Sequence, residues 1–516
     1  MPIKITLLLL SLLLQTGCVM QLHERIPDRD SASAKPWQLR CEVAQSAMPT
    51  SVDKLRQVKG KWLWAQDDNG NPVELAGNLE DGFYVLTGFA NNDATPSTEL
   101  FRQQCLMTLA EQQFTDPTTF INIRAARRGE GINLAIVIPA ETTQRMVLFG
   151  DSLSDTGRLK KRLIVFPESP YWLGRFSDGP VWIDYLEAFN HVAVQNHSYG
   201  GAFTVDHRAI PGESVLDKIK EEGQLFVSGS IDLQVSDYID LQLTSGSLKA
   251  VEATTFVLWS GANDYISKEP ISGVIDTFLN TSKGAPGYKE MVDETILALE
   301  RYVRRLYAIG ARRFILMDLP DLGETPVVLQ NESYMKGNSE QSDQQRRAEL
   351  SKRLSALSAD HNIAIIEMLA RVKVQFDDVA IALVETSKHI AEISVAPNGF
   401  DYGFALEKNS KPLLLAGRSK LIQDNCYSGG YLGTRKSATV CSDRQSAMFW
   451  DVVHPTTLSH CWQTYMIVKD LAKVGWYGEL SPLADYKSWC KRIANDNGVA
   501  NDKKWLLRGL TTQSGR

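Results

Sequence analysis

The chain has 516 residues, 43% of them hydrophobic and 22% charged, with a formal net charge of -6. That length exceeds one typical core and calls for two or more domains, while the composition excludes an extensively disordered protein. The acidic balance excludes a general nucleic-acid binder, because phosphate backbones recruit concentrated Lys and Arg.

Residues 1–18 place Lys4 before a leucine-rich run that ends at Leu14 and is followed by Gln15-Thr16-Gly17-Cys18, the layout of an export signal and too short to span a membrane. A small residue before Cys18 suits lipidation, whereas Gln15 departs from the aliphatic residue usual in such sites. Secretion and outer-membrane anchoring through Cys18 both stay open. Residues 19–36 are polar and read as a flexible leader. Setting Cys18 aside leaves six cysteines, an even set that suits an oxidising compartment. Spacing favours Cys41 with Cys105, Cys426 with Cys441 and Cys461 with Cys490, although the sequence alone does not choose among the fifteen pairings that six cysteines allow.

Residues 37–143 read as a small α+β module. Strands are expected at Lys61–Ala65 and Gly82–Thr87, a turn at Asn69-Gly70 between them, and a helix over 98–112 carrying Leu106 and Leu109. A different rhythm begins at residue 144. Short apolar runs at Met146–Phe149, Phe256–Trp259, Phe314–Met317 and Ile363–Ile366 read as buried strands. Val292, Ile296, Leu299, Val303 and Leu306 recur at helical steps, as do Leu350, Leu354 and Leu357, and Gly310 is a candidate helix stop. Such alternation predicts an α/β domain over 144–480 whose parallel sheet is covered on both faces and binds ligands at the carboxyl ends of its strands, followed by an extension over 481–516.

Ser152 falls just beyond the first of these strands, where an open sheet presents reactive groups. A serine hydroxyl needs a base to take its proton and donors to hold the developing oxyanion. Asp451-Val452-Val453-His454 supplies a carboxylate three residues before an imidazole, a spacing at which one turn can join them. Candidate oxyanion donors are the backbone N–H groups of Ser152 and Gly201 and the side chain of Asn263. Taken singly, Asp-x-x-His also suits a structural ion pair, Gly200-Gly201 a turn and Asn263 a loop cap. His197, His207 and His460 with Asp318 and Asp321 form no ligand-spacing motif, so no metal or other cofactor is expected. Trp450, Trp462 and Trp489 suit core packing better than lipid contact.

In this order the four segments resemble the SGNH or GDSL hydrolases. Within that family the chain is similar to the glycerophospholipid-cholesterol acyltransferases and thermolabile haemolysins through FGDSLSDTGR (149–158), GRFSDGPVWIDYL (174–186), LWSGANDY (258–265), LPDLGETP (319–326) and FWDVVHPTT (449–457). The resemblance implies a three-layer α/β/α fold and an acyl-enzyme mechanism on phospholipid or lysophospholipid at a membrane surface. Ser152 would be the nucleophile, His454 the base and Asp451 its orienting partner, with Ser152, Gly201 and Asn263 forming the oxyanion hole. The acyl group would pass to water or to cholesterol. Cys426 and Cys441 bracket a glycine-rich segment, and because some relatives are activated by cleavage in such a loop, Arg435 and Lys436 are candidate sites for an activating protease. The segment 266–288 is a candidate lid. Two other readings use the same residues differently: a carbohydrate or short-chain carboxylesterase, and a surface adhesion or membrane-disrupting protein with the hydrolase region as scaffold.

Overall fold

The computed structural model describes residues 35–45, 60–90, 94–111, 118–130, 132–141, 143–163, 167–168, 170–189, 192–205, 229–245, 251–266, 286–330, 343–394, 402, 414–415, 418–419, 425–431, 438–441, 447–476, 487–488 and 490–491. The export signal, Cys18, His207, most of 266–288, Arg435, Lys436, Trp489 and most of the carboxyl-terminal extension lie outside the described residues.

The amino-terminal part contains β1 (Gln38–Gln45), β2 (Gly60–Trp64), β3 (Leu75–Glu80), β4 (Phe83–Phe89), α1 (Thr98–Glu111), β5 (Thr118–Ala126), β6 (Asn133–Leu134) and β7 (Ile136–Val137). These form two small sheets ordered β2-β1-β5-β6 and β3-β4-β7. The Asn69-Gly70 turn is present with Gly70 at φ 78°, but it does not join β2 to β4. Instead β4 pairs with β3 across Asp81-Gly82, both at positive φ, and β2 pairs with β1. Alternation along β1 sends Leu39, Cys41 and Val43 into a core shared with Leu63, Phe101 and Leu109. Cys41 is joined to Cys105 there, tying β1 to α1.

The rest of the chain builds β8 (Gln144–Gly150), α2 (Arg158–Leu163), α3 (Trp182–Phe189), β9 (Val192–Asn196), α4 (Ile231–Ser245), β10 (Thr255–Trp259), α5 (Ala262–Ile266), α6 (Pro286–Ala308), β11 (Arg313–Met317), α7 (Pro326–Gln330), α8 (Asp343–Gln375), β12 (Ala380–Val384), α9 (Thr386–Ile393) and α10 (Thr457–Lys473). Five of these strands pair in parallel in the order β12-β11-β10-β8-β9. In chain order this is 2-1-3-4-5, which puts the topological switch point between β8 and β10. Successive strand residues divide between two cores. Val147, Phe149, Phe256, Leu258 and Phe314 meet α4, α6 and α8 on one face, while Met146, Leu148, Val257, Trp259 and Ile315 meet α3, α9 and α10 on the other. The result is the α/β/α sandwich that the apolar runs predict, and Phe83, Val85 and Val137 of the amino-terminal part join the first of its cores.

One expected strand is corrected. Ile363–Ile366 lies inside the 33-residue helix α8, with Ile363 and Ile366 exposed. The fifth sheet member is β12 instead. Leu350, Leu354, Leu357, His361, Ile365, Met368 and Val372 are buried at three- and four-residue steps, and this longer periodicity overrides the four-residue apolar run. Gly310, at φ 109°, ends α6 as expected: its N–H donates to Tyr307 O and that of Ala311 to Leu306 O.

Candidate active site

The strand β8 ends in Gly150, and Ser152 is the second residue of the irregular segment after it at the switch point. Gln234 of α4 holds this end in register. Its Oε1 accepts from Gly150 N–H at 3.0 Å and its Nε2 donates to Gly150 O at 2.9 Å, so the buried amide continues the sheet where no strand does. Asp155 then accepts from the N–H groups of Gly157, Arg158 and Leu159, capping α2, and from Gly200 N–H at 2.8 Å. Through these bonds the loops after β8 and β9 are locked together.

The Asp451–His454 pair comes from the segment before α10, 302 residues from Ser152 in the chain in the case of His454. Asp451 Oδ1 accepts from the backbone N–H of Val453 and His454 at 2.8 and 2.7 Å, which folds the intervening residues into a tight turn. That turn brings His454 Nδ1 to 2.8 Å from Asp451 Oδ2, while His454 Nε2 lies 2.8 Å from Ser152 Oγ. The hydrogen-bond pattern assigns the proton to Nδ1 and leaves Nε2 to accept from the serine hydroxyl. All three side chains are buried. Burial by itself would raise the Asp451 carboxyl, but the charge of His454 and hydrogen bonds from His454 and Tyr171 hold it below its ordinary value.

Of the expected oxyanion donors, Ser152 and Asn263 line one cleft, and Asn263 Nδ2 donates to Ala202 O at 3.0 Å, beside Gly201. Gly201 sits at φ 79° on the loop after β9. Asn196, at the end of β9, uses its amide internally, donating to Ser154 O and accepting from Ser198 N–H. The cleft walls are mostly apolar, with Leu153, Trp259, Ile266, Leu322, Ile390, Met448, Phe449 and Val453 among them. His460 also lines it, and burial followed by the charge of His454 pushes its imidazole down to about 3, so it is neutral beside the site. Asp318 accepts from Thr386 and Ser387 at the start of α9, and Asp321 caps the turn at Leu322–Glu324.

Burial pushes the neighbouring Asp151 carboxyl up to about 6, against a hydrogen bond from Leu153 N–H and the charge of His454. Between its ordinary value near 3.8 and this raised one, the folded chain holds the proton that the unfolded chain has released. Stability from this group therefore falls as pH rises through that window. The stability difference between Asp151→Asn and the parent protein should move in favour of the variant by roughly 2 kcal/mol between about pH 4 and 7. Chemical denaturation at several pH values checks this, and a pH-independent difference sinks it.

Tyr171 was not legible as part of the site. Its hydroxyl donates to Asp451 Oδ2 at 2.7 Å, and its ring packs on Tyr427, Tyr431 and Trp450. The sole signal was the aromatic pair Tyr171-Trp172 just before the block at 174–186. Trp450 is fully buried in this cluster, and Trp462 is fully buried on α10. Cys426 is joined to Cys441 beside the cluster, and Cys461, on α10, is joined to Cys490.

Residues 146–463, from the strand that carries the serine to the helix after the histidine, match the family model described as GDSL-like Lipase/Acylhydrolase. The chain belongs to this family. As a GDSL-like lipase/acylhydrolase it is similar to a phosphatidylcholine-sterol acyltransferase of Aeromonas hydrophila, at 27% identity over 61% of this chain and 86% of that protein. It is similar also to a thermolabile hemolysin of Vibrio parahaemolyticus, at 25% identity over 77% of this chain and 80% of that protein. A GDSL esterase/lipase of Arabidopsis thaliana is 23% identical over 60% of this chain and 82% of its own length. Membership in the GDSL-like family supports an esterase or lipase activity, and the three disulfides are consistent with an exported protein.

Proposed function

We propose that this chain is an exported phospholipase A or lysophospholipase that forms an acyl-enzyme on Ser152. The observation that carries the reading is the unbroken hydrogen-bonded series Ser152 Oγ, His454, Asp451 at an apolar-walled cleft. As Oγ attacks the ester carbonyl carbon, His454 Nε2 takes its proton. The imidazolium is held by Asp451, and the carbonyl oxygen gains charge toward the N–H groups of Ser152, Gly201 and Asn263. His454 then returns the proton to the departing glycerol oxygen. Water, activated by the same nitrogen, releases the fatty acid and restores the hydroxyl.

The apolar walls suit an acyl chain, and the two similar proteins named for phosphatidylcholine-sterol acyl transfer and for haemolysis support a lipid substrate at a membrane surface. Cholesterol in place of water would give a cholesteryl ester by the same second step. A protease cutting at Arg435 or Lys436 would act between the two linked cysteines Cys426 and Cys441.

Fatty-acid release from phosphatidylcholine and lysophosphatidylcholine vesicles, with and without cholesterol and before and after limited proteolysis, tests this. Fatty acid released by the native protein is the expected result. Cleavage of acetylated sugars with no action on either lipid would overturn the lipid assignment. Asn263→Ala should lower kcat about 100- to 1000-fold with little change in KM. A fall of less than three-fold in steady-state kcat would remove Asn263 from the oxyanion hole.

A further inference from the structure

Arg175 is completely buried, and it joins the amino-terminal part of the chain to the segment that holds the Asp451–His454 pair. Its Nε and Nη2 donate to Asp184 of α3 at 3.1 and 2.9 Å, and its Nη1 and Nη2 donate to Glu42 of β1 at 3.1 and 3.4 Å. Glu42 is itself buried and accepts from Asn122 of β5 at 3.0 Å. A guanidinium out of water needs both carboxylates, since losing one leaves donors unpaired and favours movement toward solvent.

Movement of Arg175 would reach the active site directly. The ring of Phe176, the next residue, lies 4.9 Å from that of His454, and Gly200 presses on it so closely that a Cβ there would collide. Four residues before Arg175, Tyr171 donates to Asp451. Backbone bonds from Trp172 N–H to Ser177 O and from Arg175 N–H to Trp172 O, both 2.9 Å, close the segment into one compact loop. Ser177 Oγ adds a bond to Pro455 O at 3.0 Å, next to the histidine.

We propose that Glu42, acting through Arg175, is a positioning residue for the hydrolytic site, so that the amino-terminal module is an in-chain buttress setting where Tyr171 and Phe176 hold Asp451 and His454. The inference rests on the serine-hydrolase reading of that site. It assigns the module a part in the reaction without contact with substrate.

The test is steady-state hydrolysis of 4-nitrophenyl butyrate by the full chain, with melting temperature recorded for every variant. Glu42→Ala and Tyr171→Phe should each lower kcat about ten-fold with KM nearly unchanged. Together they should lose much less than the product of the two, because both act on the same loop. Each should move the acid limb of the kcat/KM profile upward, since a carboxylate freed of the phenol donor makes the imidazole more basic. Glu42→Gln, which keeps one acceptor, should recover part of the rate and serves in the cycle if Glu42→Ala does not fold. Glu80→Ala is the control: it breaks another contact between the two parts, with Arg145 at the opposite end of β8, and should leave kcat unchanged. With Ser152→Ala inactive, a Glu42 variant that melts lower yet keeps the parent kcat and pH profile overturns the inference alone. Activity undiminished in Ser152→Ala would overturn the underlying reading of the site.

Discussion

Replacing Ser152 by alanine should abolish ester hydrolysis, with kcat falling by about a million-fold while the protein stays folded and binds lipid much as before. In the proposed mechanism the side-chain oxygen bonded to His454 Nε2 is the atom that forms the acyl bond, and a methyl group offers no substitute. Substitution should disturb little else, because Ser152 is small and sits in the irregular segment beyond β8. A fluorophosphonate probe provides a second readout independent of substrate: the native protein should carry the label on Ser152 and the variant none. Labelling that persists in the variant, or activity within ten-fold of native, would rule out this nucleophile.

Asp451→Asn should reduce kcat by about 10,000-fold, far more than the loss expected from removing the Tyr171 hydroxyl. The carboxylate accepts from four donors at once: the N–H groups of Val453 and His454, the imidazole Nδ1 and the phenol. An asparagine amide keeps the shape but turns one acceptor into a donor. If its oxygen stays with the two backbone N–H groups, its NH2 faces His454 Nδ1 and favours the tautomer with the proton on Nε2, which cannot take the proton of Ser152. Steady-state kinetics together with the imidazole proton resonance would check both consequences. A variant within ten-fold of native kcat would mean that His454 is oriented chiefly by other contacts.

The hydrolase region was legible because its signals are local. An apolar run ending in Gly150-Asp151-Ser152 marks a buried strand and its exit, and Asp451 with His454 needs just one turn to meet. The long helix misled for the same reason. Four apolar residues at 363–366 imitate a strand, and the buried series from Leu350 to Val372 becomes visible on a window several turns long. Two strands of the amino-terminal module, β2 and β4, were legible, but neither their partners nor the other strands were, since antiparallel pairing joins β1 to β5 across about eighty residues and no local pattern encodes that register.

Tyr171 and Glu42 mark the boundary of such reading. A tyrosine before a conspicuous block and a lone glutamate on a strand carry no spacing relation to a histidine hundreds of residues away, and their roles depend on which surfaces pack together. By itself the sequence determined the family and with it the type of chemistry, because the serine past a strand end, the Asp-x-x-His turn and the glycine- and asparagine-bearing loops, each open to another role when taken singly, occur together and in one order. Only the tertiary structure decided how these segments converge at the β8/β10 switch point and what holds them there. Long-range burial forces Arg175 to find two carboxylates and Asp451 to find a phenol, and those partners come from parts of the chain that meet only when the cores close.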